Sequence, residues 1–266
     1  MYLPMMIYNL MYGSTMSKNF LVLKNYKIAD NTKWFDDRTN EANLAENYRK
    51  MEDICVKSAF GNVEGLNEIR VFRGEADNIR DVFKTNFYEI YELWQEGNNV
   101  LYSDLDVIFT QPTDYFVNDN IFRMYNLTDP VKTTDAHYDL SFETYFNCGI
   151  RYYPKNMSQD VWDLGIKMVE NWNPERWDSE QIIYNAMLWS QDIKPDDVYN
   201  PRVAYQLLHD PQNIQGHRIN KQFNQIDLRE ACAVHVHGSR GSSDRLSLME
   251  DFAENRVPQV EETLFL

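Results

Sequence analysis

Asp104 and Asp106 are the residues whose type and spacing most directly suggest chemistry. They stand two positions apart in the stretch NNVLYSDLDVIF, from Asn98 to Phe109, just after an apolar run through Val100, Leu101 and Tyr102. Two carboxylates this close repel one another if both ionise in a cleft, so one takes up a proton or a cation lies between them. A divalent cation answers both charges. Manganese and magnesium favour oxygen ligands, and magnesium usually takes one or two carboxylates and leaves its other positions to water and substrate phosphates. The turn residues Gly97-Asn98-Asn99 open the apolar run as a buried strand, and ligands of open α/β sheets collect at the carboxyl ends of strands. Asp-x-Asp also arises by chance in an acidic chain. Here it is the chain's only example, and Val107-Ile108-Phe109 resumes the apolar run behind it.

A second group of chemically capable residues comes near the other end of the chain. From Ala233 to His237 residues alternate, Val234 and Val236 to one side of a strand and His235 and His237 to the other. The strand runs into Gly238-Ser239-Arg240-Gly241-Ser242-Ser243. Backbone amides in such a turn, with the Arg240 guanidinium beside them, suit a diphosphate leaving group, and a histidine at the strand end can complete a metal's coordination. Either histidine fits that role on spacing alone, and both also fit as hydrogen-bonded structural groups.

Other elements must bring these two regions together. Met5 to Leu10 is expected to be a buried first strand, with Tyr12-Gly13-Ser14 as the turn behind it. The first turn of an α/β nucleotide binder often meets the ligand, which makes Tyr8 and Asn9 candidates for a base or ribose contact. Phe20 to Tyr26 reads as a strand or a short helix. Leu44, Tyr48, Met51, Cys55 and Ala59 recur at helical spacing between Thr39 and Phe60, with Gly61 as the stop. Glu68 to Phe72 follows as a short strand. Asn78 can cap a helix whose stripe runs through Ile79, Val82, Phe83, Phe87, Ile90 and Trp94, ended by Gly97. Beyond Pro112 the expected elements are a strand at Phe122 to Asn126, a polar loop at Thr128 to Asp139, and a strand at Tyr145 to Tyr153. A helix capped by Ser158 comes next, then one opened by Asp178 with Gln181 as in a capping box. Helices alternating with apolar strands predict an α/β fold with a mixed, mostly parallel central sheet flanked by helices.

Composition narrows the function class. At 266 residues and 43% apolar content the chain reads as one domain over 1–266, without a Pro/Ser/Gly-rich linker or an internal repeat. A net charge of −15 argues against nucleic acid as the main partner, since a phosphate backbone calls for Lys and Arg. Three cysteines, Cys55, Cys148 and Cys232, without metal-ligand spacing suit a reducing compartment, so the expected location is the cytoplasm. The apolar opening MYLPMMIYNLMYG has no basic residue before it and is short for a transmembrane segment, so a strand is expected there.

Taken in order, VLYSDLDVIF, FNCGI, RWDSEQIIYNAM and VHVHGSRG resemble the motifs of metal-dependent nucleotide-sugar glycosyltransferases of GT-A fold, especially the retaining glycogenin-like and bacterial galactosyltransferase-like groups. The likeness covers roughly residues 79 to 240. It implies that Asp104, Asp106 and His235 bind Mn2+ or Mg2+, that Asn147 touches the donor sugar, that Asp178 lies near the reacting carbon, and that Lys84 approaches the donor. It also implies a nucleoside diphosphate sugar as donor, a hexosyltransferase type of activity and retention of configuration, with 1–110 as the donor-binding half and 111–266 as the acceptor side. Gly238 reproduces the glycine of the late His-x-x-Gly motif, while Arg240 departs from the usual lysine further on, and Tyr12 to Phe60 departs from the usual first segment. A saccharide, a lipid-linked glycan or a protein hydroxyl fits as acceptor. Asp178 and Glu180 are the candidates if a catalytic base is needed. The alternatives are a non-catalytic nucleotide- or glycan-binding module and a sugar-phosphate nucleotidyltransferase, the latter poorly served by Tyr12-Gly13-Ser14.

Overall fold

The computed structural model describes residues 17–28, 43–117, 120–129, 133–135, 140–142, 144–172, 179–194, 203–208, 231–238 and 242–254. The strand expected at Met5 to Leu10, with Tyr8 and Asn9, lies outside them. The first described strand, β1 (Asn19–Ile28), settles the ambiguity at Phe20 to Tyr26 in favour of a strand. It is followed by α1 (Leu44–Asn62), β2 (Glu68–Ala76), α2 (Ile79–Gln95) and β3 (Asn99–Ser103).

Strand β1 lies between β2 and β3, parallel to both. Beyond β3 come β8 (Tyr145–Tyr153), antiparallel to it, and β5 (Arg123–Asp129), antiparallel in turn to β8. The sheet order is therefore β2-β1-β3-β8-β5, a five-stranded sheet in which only β8 runs against the others. Each strand buries alternate residues on opposite faces. Leu21, Leu23, Leu101 and Ile150 join one core with Met51, Cys55 and Ala59 of α1. Phe20, Val22, Val100 and Tyr102 join another with Phe87, Ile90 and Leu93 of α2. That second core also takes Val161 and Trp162 of α3 (Gln159–Glu170) and Ile183, Tyr184 and Met187 of α4 (Ser179–Trp189). Burial on both faces explains why β3 reads as a continuous apolar run.

A second sheet stands beside the first. In it β10 (Ala233–Gly238) pairs antiparallel with β4 (Val107–Phe109) and parallel with β9 (Val203–Leu208). Val107-Ile108-Phe109 therefore does not prolong β3, because the chain turns at the aspartates and changes sheet. Helix α5 (Ser242–Ala253) packs Leu246, Met249 and Phe252 into the core shared with α1. A small pair joins β6 (Thr133–Asp135), within the stretch expected to be a polar loop, to β7 (Leu140–Phe142) just beyond it.

Local signals account for most boundaries. Asn78 caps α2 by accepting from Asp81 N, and Ser158 caps α3 by accepting from Asp160 N. Gly97 ends α2 at φ 85°, a backbone conformation that favours glycine. Helix α1 runs one residue past Gly61, and the left-handed position that follows is Gly65, at φ 79°. No helix among the described residues is long and apolar enough to cross a membrane.

Candidate metal centre

The centre lies where the chain passes from β3 to β4. Asp104 N donates to Gly149 O of β8 at 2.8 Å, and Val236 N of β10 donates to Asp106 O at 2.7 Å. These two bonds tie the Asp104-Leu105-Asp106 turn to strands of both sheets. The antiparallel register places His235 opposite Val107, next to the second aspartate.

The side chains converge. His235 Nε2 lies 3.0 Å from Asp106 Oδ1 and 3.8 Å from Asp104 Oδ2. One ligand atom from each of Asp104, Asp106 and His235 falls within 4.8 Å of the other two. Among the described side chains, His235 is thus the imidazole that meets the acids. It and Asp106 are buried, whereas the Asp104 side chain is 31% exposed, so the centre opens to solvent on the Asp104 side. Two carboxylates and an imidazole are a donor set that fits manganese or magnesium.

Further groups fix the ligands. The Tyr102 hydroxyl donates to Asp104 Oδ1 at 2.6 Å. Arg245, in the first turn of α5, donates from Nη1 to Asp106 Oδ2 at 2.7 Å and from Nη2 to the Tyr48 hydroxyl at 2.9 Å. Burial pulls the His235 imidazole towards its neutral form, but the charge of Asp106, its hydrogen bond and Asp104 outweigh that and raise its pKa. Burial pushes the Tyr102 phenol well up, and Asp104 adds to the effect, so Tyr102 keeps its proton and acts as a donor.

Behind Asp104 lies a cationic network. The Arg151 guanidinium, fully buried, stacks between the rings of Tyr102 and Tyr184 at 3.9 and 3.7 Å and donates to Cys148 O at 2.8 Å. Glu180 Oε1 lies 3.3 Å from Lys24 Nζ and 3.5 Å from Arg151 Nη1. Glu180 also borders a depression with Phe83, Lys84, Trp172 and Tyr184. Contacts therefore run from Asp104 to the Tyr102 hydroxyl, from the Tyr102 ring to Arg151, and from Arg151 to Glu180.

The other expected site residues fall as follows. Asn147 is buried on β8, its amide nitrogen donating to Gln181 at 3.0 Å and its oxygen accepting from Gly149 N at 2.8 Å, so it holds α4 against the strand. Lys84 is exposed on α2. Gly238 ends β10. Asp178 and Arg240 lie outside the described residues.

Reading the sequence missed Arg245, Tyr102, Gly149 and the Lys24–Glu180–Arg151 network. Arg151 did carry a signal, as the one charge in the strand FNCGIRYY. Arg245 carried none, because its partner Asp106 is 139 positions away.

No family model matches this chain, and no curated protein matches it. Many solved structures resemble it, two glycosyltransferases among them. One is a glycosyltransferase involved in the glycosylation of the major capsid of PBCV-1, 13% identical, with a TM-score of 0.46 over 88% of this chain and 98% of that one. The other is the WbbM bifunctional glycosyltransferase in its apo form, 11% identical, with a TM-score of 0.54 over 93% of this chain and 51% of that one. The chain thus spans about half the length of that second structure. The mixed α/β architecture, with its five-stranded sheet flanked by helices, is similar to that of the second of these structures.

Proposed function

We propose that this chain is a metal-dependent glycosyltransferase that moves a sugar, of hexose type, from a nucleoside diphosphate sugar to a hydroxyl acceptor with retention of configuration. The observation that carries the reading is the convergence of Asp104, Asp106 and His235 at the carboxyl end of β3. Ligands of α/β sheets gather there.

Asp104, Asp106 and His235 would hold Mn2+ or Mg2+. When bound, the cation supplies charge neutralisation and a template for the departing diphosphate. Arg240 and the backbone from Gly238 onward add positive charge and N–H donors for the same diphosphate. Tyr8 and Asn9 remain candidates for the base and ribose. Asn147 and Asp178 are assigned to the sugar side of the site, and Lys84 of α2 is assigned to the donor.

Glu180 is assigned the reacting centre. Its carboxylate is fixed between Lys24 and Arg151, and Arg151 in turn packs on Tyr102, the hydrogen-bond partner of Asp104. A fixed negative charge there can stabilise positive character developing on the sugar ring. The acceptor belongs to the side built from residues 111–266, and a saccharide, a lipid-linked glycan or a protein hydroxyl fits it. The cysteines are unpaired thiols, which supports a reducing setting such as the cytoplasm.

The test is a panel of nucleoside diphosphate sugars with Mn2+, read by thermal stabilisation and by donor hydrolysis, with Asp106→Asn as control. One donor should stabilise the wild-type chain in a manganese-dependent manner and leave the variant unmoved. Equal behaviour of the two proteins across the panel would favour a non-catalytic module.

A further inference from the structure

The two carboxylates of the centre are not presented alike, and neither offers both its oxygens. Tyr102 donates to Oδ1 of Asp104, which leaves Oδ2 as the oxygen turned towards His235. Arg245 donates to Oδ2 of Asp106, while Oδ1 is the oxygen 3.0 Å from His235. Both donors are themselves held. The Tyr102 ring is packed under Arg151, and the Arg245 guanidinium is tied at its far end to Tyr48.

We infer that Arg245 and Tyr102 are specificity-determining residues that each keep one carboxylate oxygen out of coordination, so that the centre offers a cation three single-atom ligands and selects manganese or magnesium over calcium. The inference rests on the metal-site reading above and deepens it. Calcium takes six to eight oxygens and commonly engages carboxylates through both oxygens, in a flexible shell. Magnesium takes six ligands in a tight octahedron and keeps several positions for water and phosphate. Three single-atom ligands leave room for such positions and undersupply calcium. A charge effect alone cannot produce this preference: the Arg245 cation repels any divalent ion, so its Coulomb influence on manganese and calcium is nearly the same. The ratio of the two affinities therefore isolates geometry from charge.

The experiment is calorimetric titration of the full chain with MnCl2 and with CaCl2, for wild type, Arg245→Met, Arg245→Lys and Tyr102→Phe, with far-ultraviolet circular dichroism to establish folding. Wild type should bind manganese and prefer it to calcium. In Arg245→Met the loss of the guanidinium from Oδ2 of Asp106 should shift the affinity ratio towards calcium by about tenfold, the scale on which groups around the ligands act. Tyr102→Phe frees an oxygen of Asp104 without changing any charge, and should shift the ratio in the same direction. Arg245→Lys keeps a cationic donor on Asp106 and should hold the ratio near that of wild type. A purely structural role for these residues would weaken both ions together and leave the ratio in place. If wild type binds manganese but Tyr102→Phe and the folded Arg245 variants keep its ratio, the inference is overturned and the metal site stands. If wild type binds neither ion, the metal-site reading fails and this inference with it.

Discussion

His235 lies directly against Gly149. A Cβ added at Gly149 would stand 2.7 Å from His235 Nδ1 and nearer still to Cε1, with Asn147 Oδ1 at 2.9 Å. The glycine of FNCGI thus leaves the space that the imidazole fills, and the same residue accepts the amide of Asp104. One backbone position of β8 serves two of the three ligands.

Gly149→Ala should therefore act on the centre as well as on the fold. The neighbours are a buried ring and a buried amide, so overpacking should cost about 1–3 kcal/mol. The displaced imidazole should also weaken Mn2+ binding by about tenfold or more. Urea denaturation and manganese titration measure the two effects, and unchanged manganese affinity would show that the ring can move without loss.

Asp106 joins two positive or proton-bearing groups in a buried setting, His235 and Arg245. Removing one partner of such a cluster leaves the others uncompensated, which costs about 3–5 kcal/mol in fully buried pairs. Asp106→Ala should fall near the lower end, since the Arg245 side chain keeps 17% exposure. Asp106→Asn keeps an acceptor for Arg245 and should cost less, while still losing the metal. Denaturation midpoints without Mn2+ separate the two substitutions, and the shift on adding Mn2+, which grows with the logarithm of affinity, should appear in wild type and vanish in both.

Glu180→Gln tests the reacting centre apart from the metal. The amide keeps the shape and removes the negative charge between Lys24 and Arg151. Turnover should fall by about 100-fold or more, while manganese affinity stays within about twofold of wild type. Full turnover in this variant would remove Glu180 from the mechanism.

Glu89 gives a pH signature. Burial raises its pKa above the ordinary 4.5, the hydrogen bond from Tyr26 works the other way, and the charge of Glu92 adds to the rise. A carboxyl raised on folding contributes stability while protonated, below its unfolded pKa, and that contribution is lost as pH rises through the folded value. Glu89→Gln should hence gain melting temperature relative to wild type at pH 7, and the gain should shrink as pH falls towards 4. A difference that does not vary with pH would contradict the assignment.

The site was legible in pieces. Asp104 and Asp106 stand out because a polar pair directly after an apolar run is visible within ten residues of sequence. The alternation of Ala233 to His237 is visible for the same reason, although spacing alone left His235 and His237 equivalent. Helix caps at Asn78 and Ser158 were readable because a cap acts over two or three residues. Strand β9 and helix α5 were not anticipated. The apolar pattern of each is short, and each is stabilised by distant partners: β9 by pairing with β10, α5 by packing against α1.

The order of residues by itself determined the alternation of helices and strands, the acid pair at the end of β3 and the acidic character of the chain, because all of these depend on neighbours or on composition. Which imidazole meets the acids was decided by the antiparallel register of β4 and β10, and that register depends on pairing across more than a hundred positions. The same long-range packing put Arg245 on Asp106, Tyr48 behind Arg245, and the bare backbone of Gly149 beneath the ring of His235. Side chains so far apart in the chain carry no mutual pattern along it, so only the closed fold could bring their charges and shapes together.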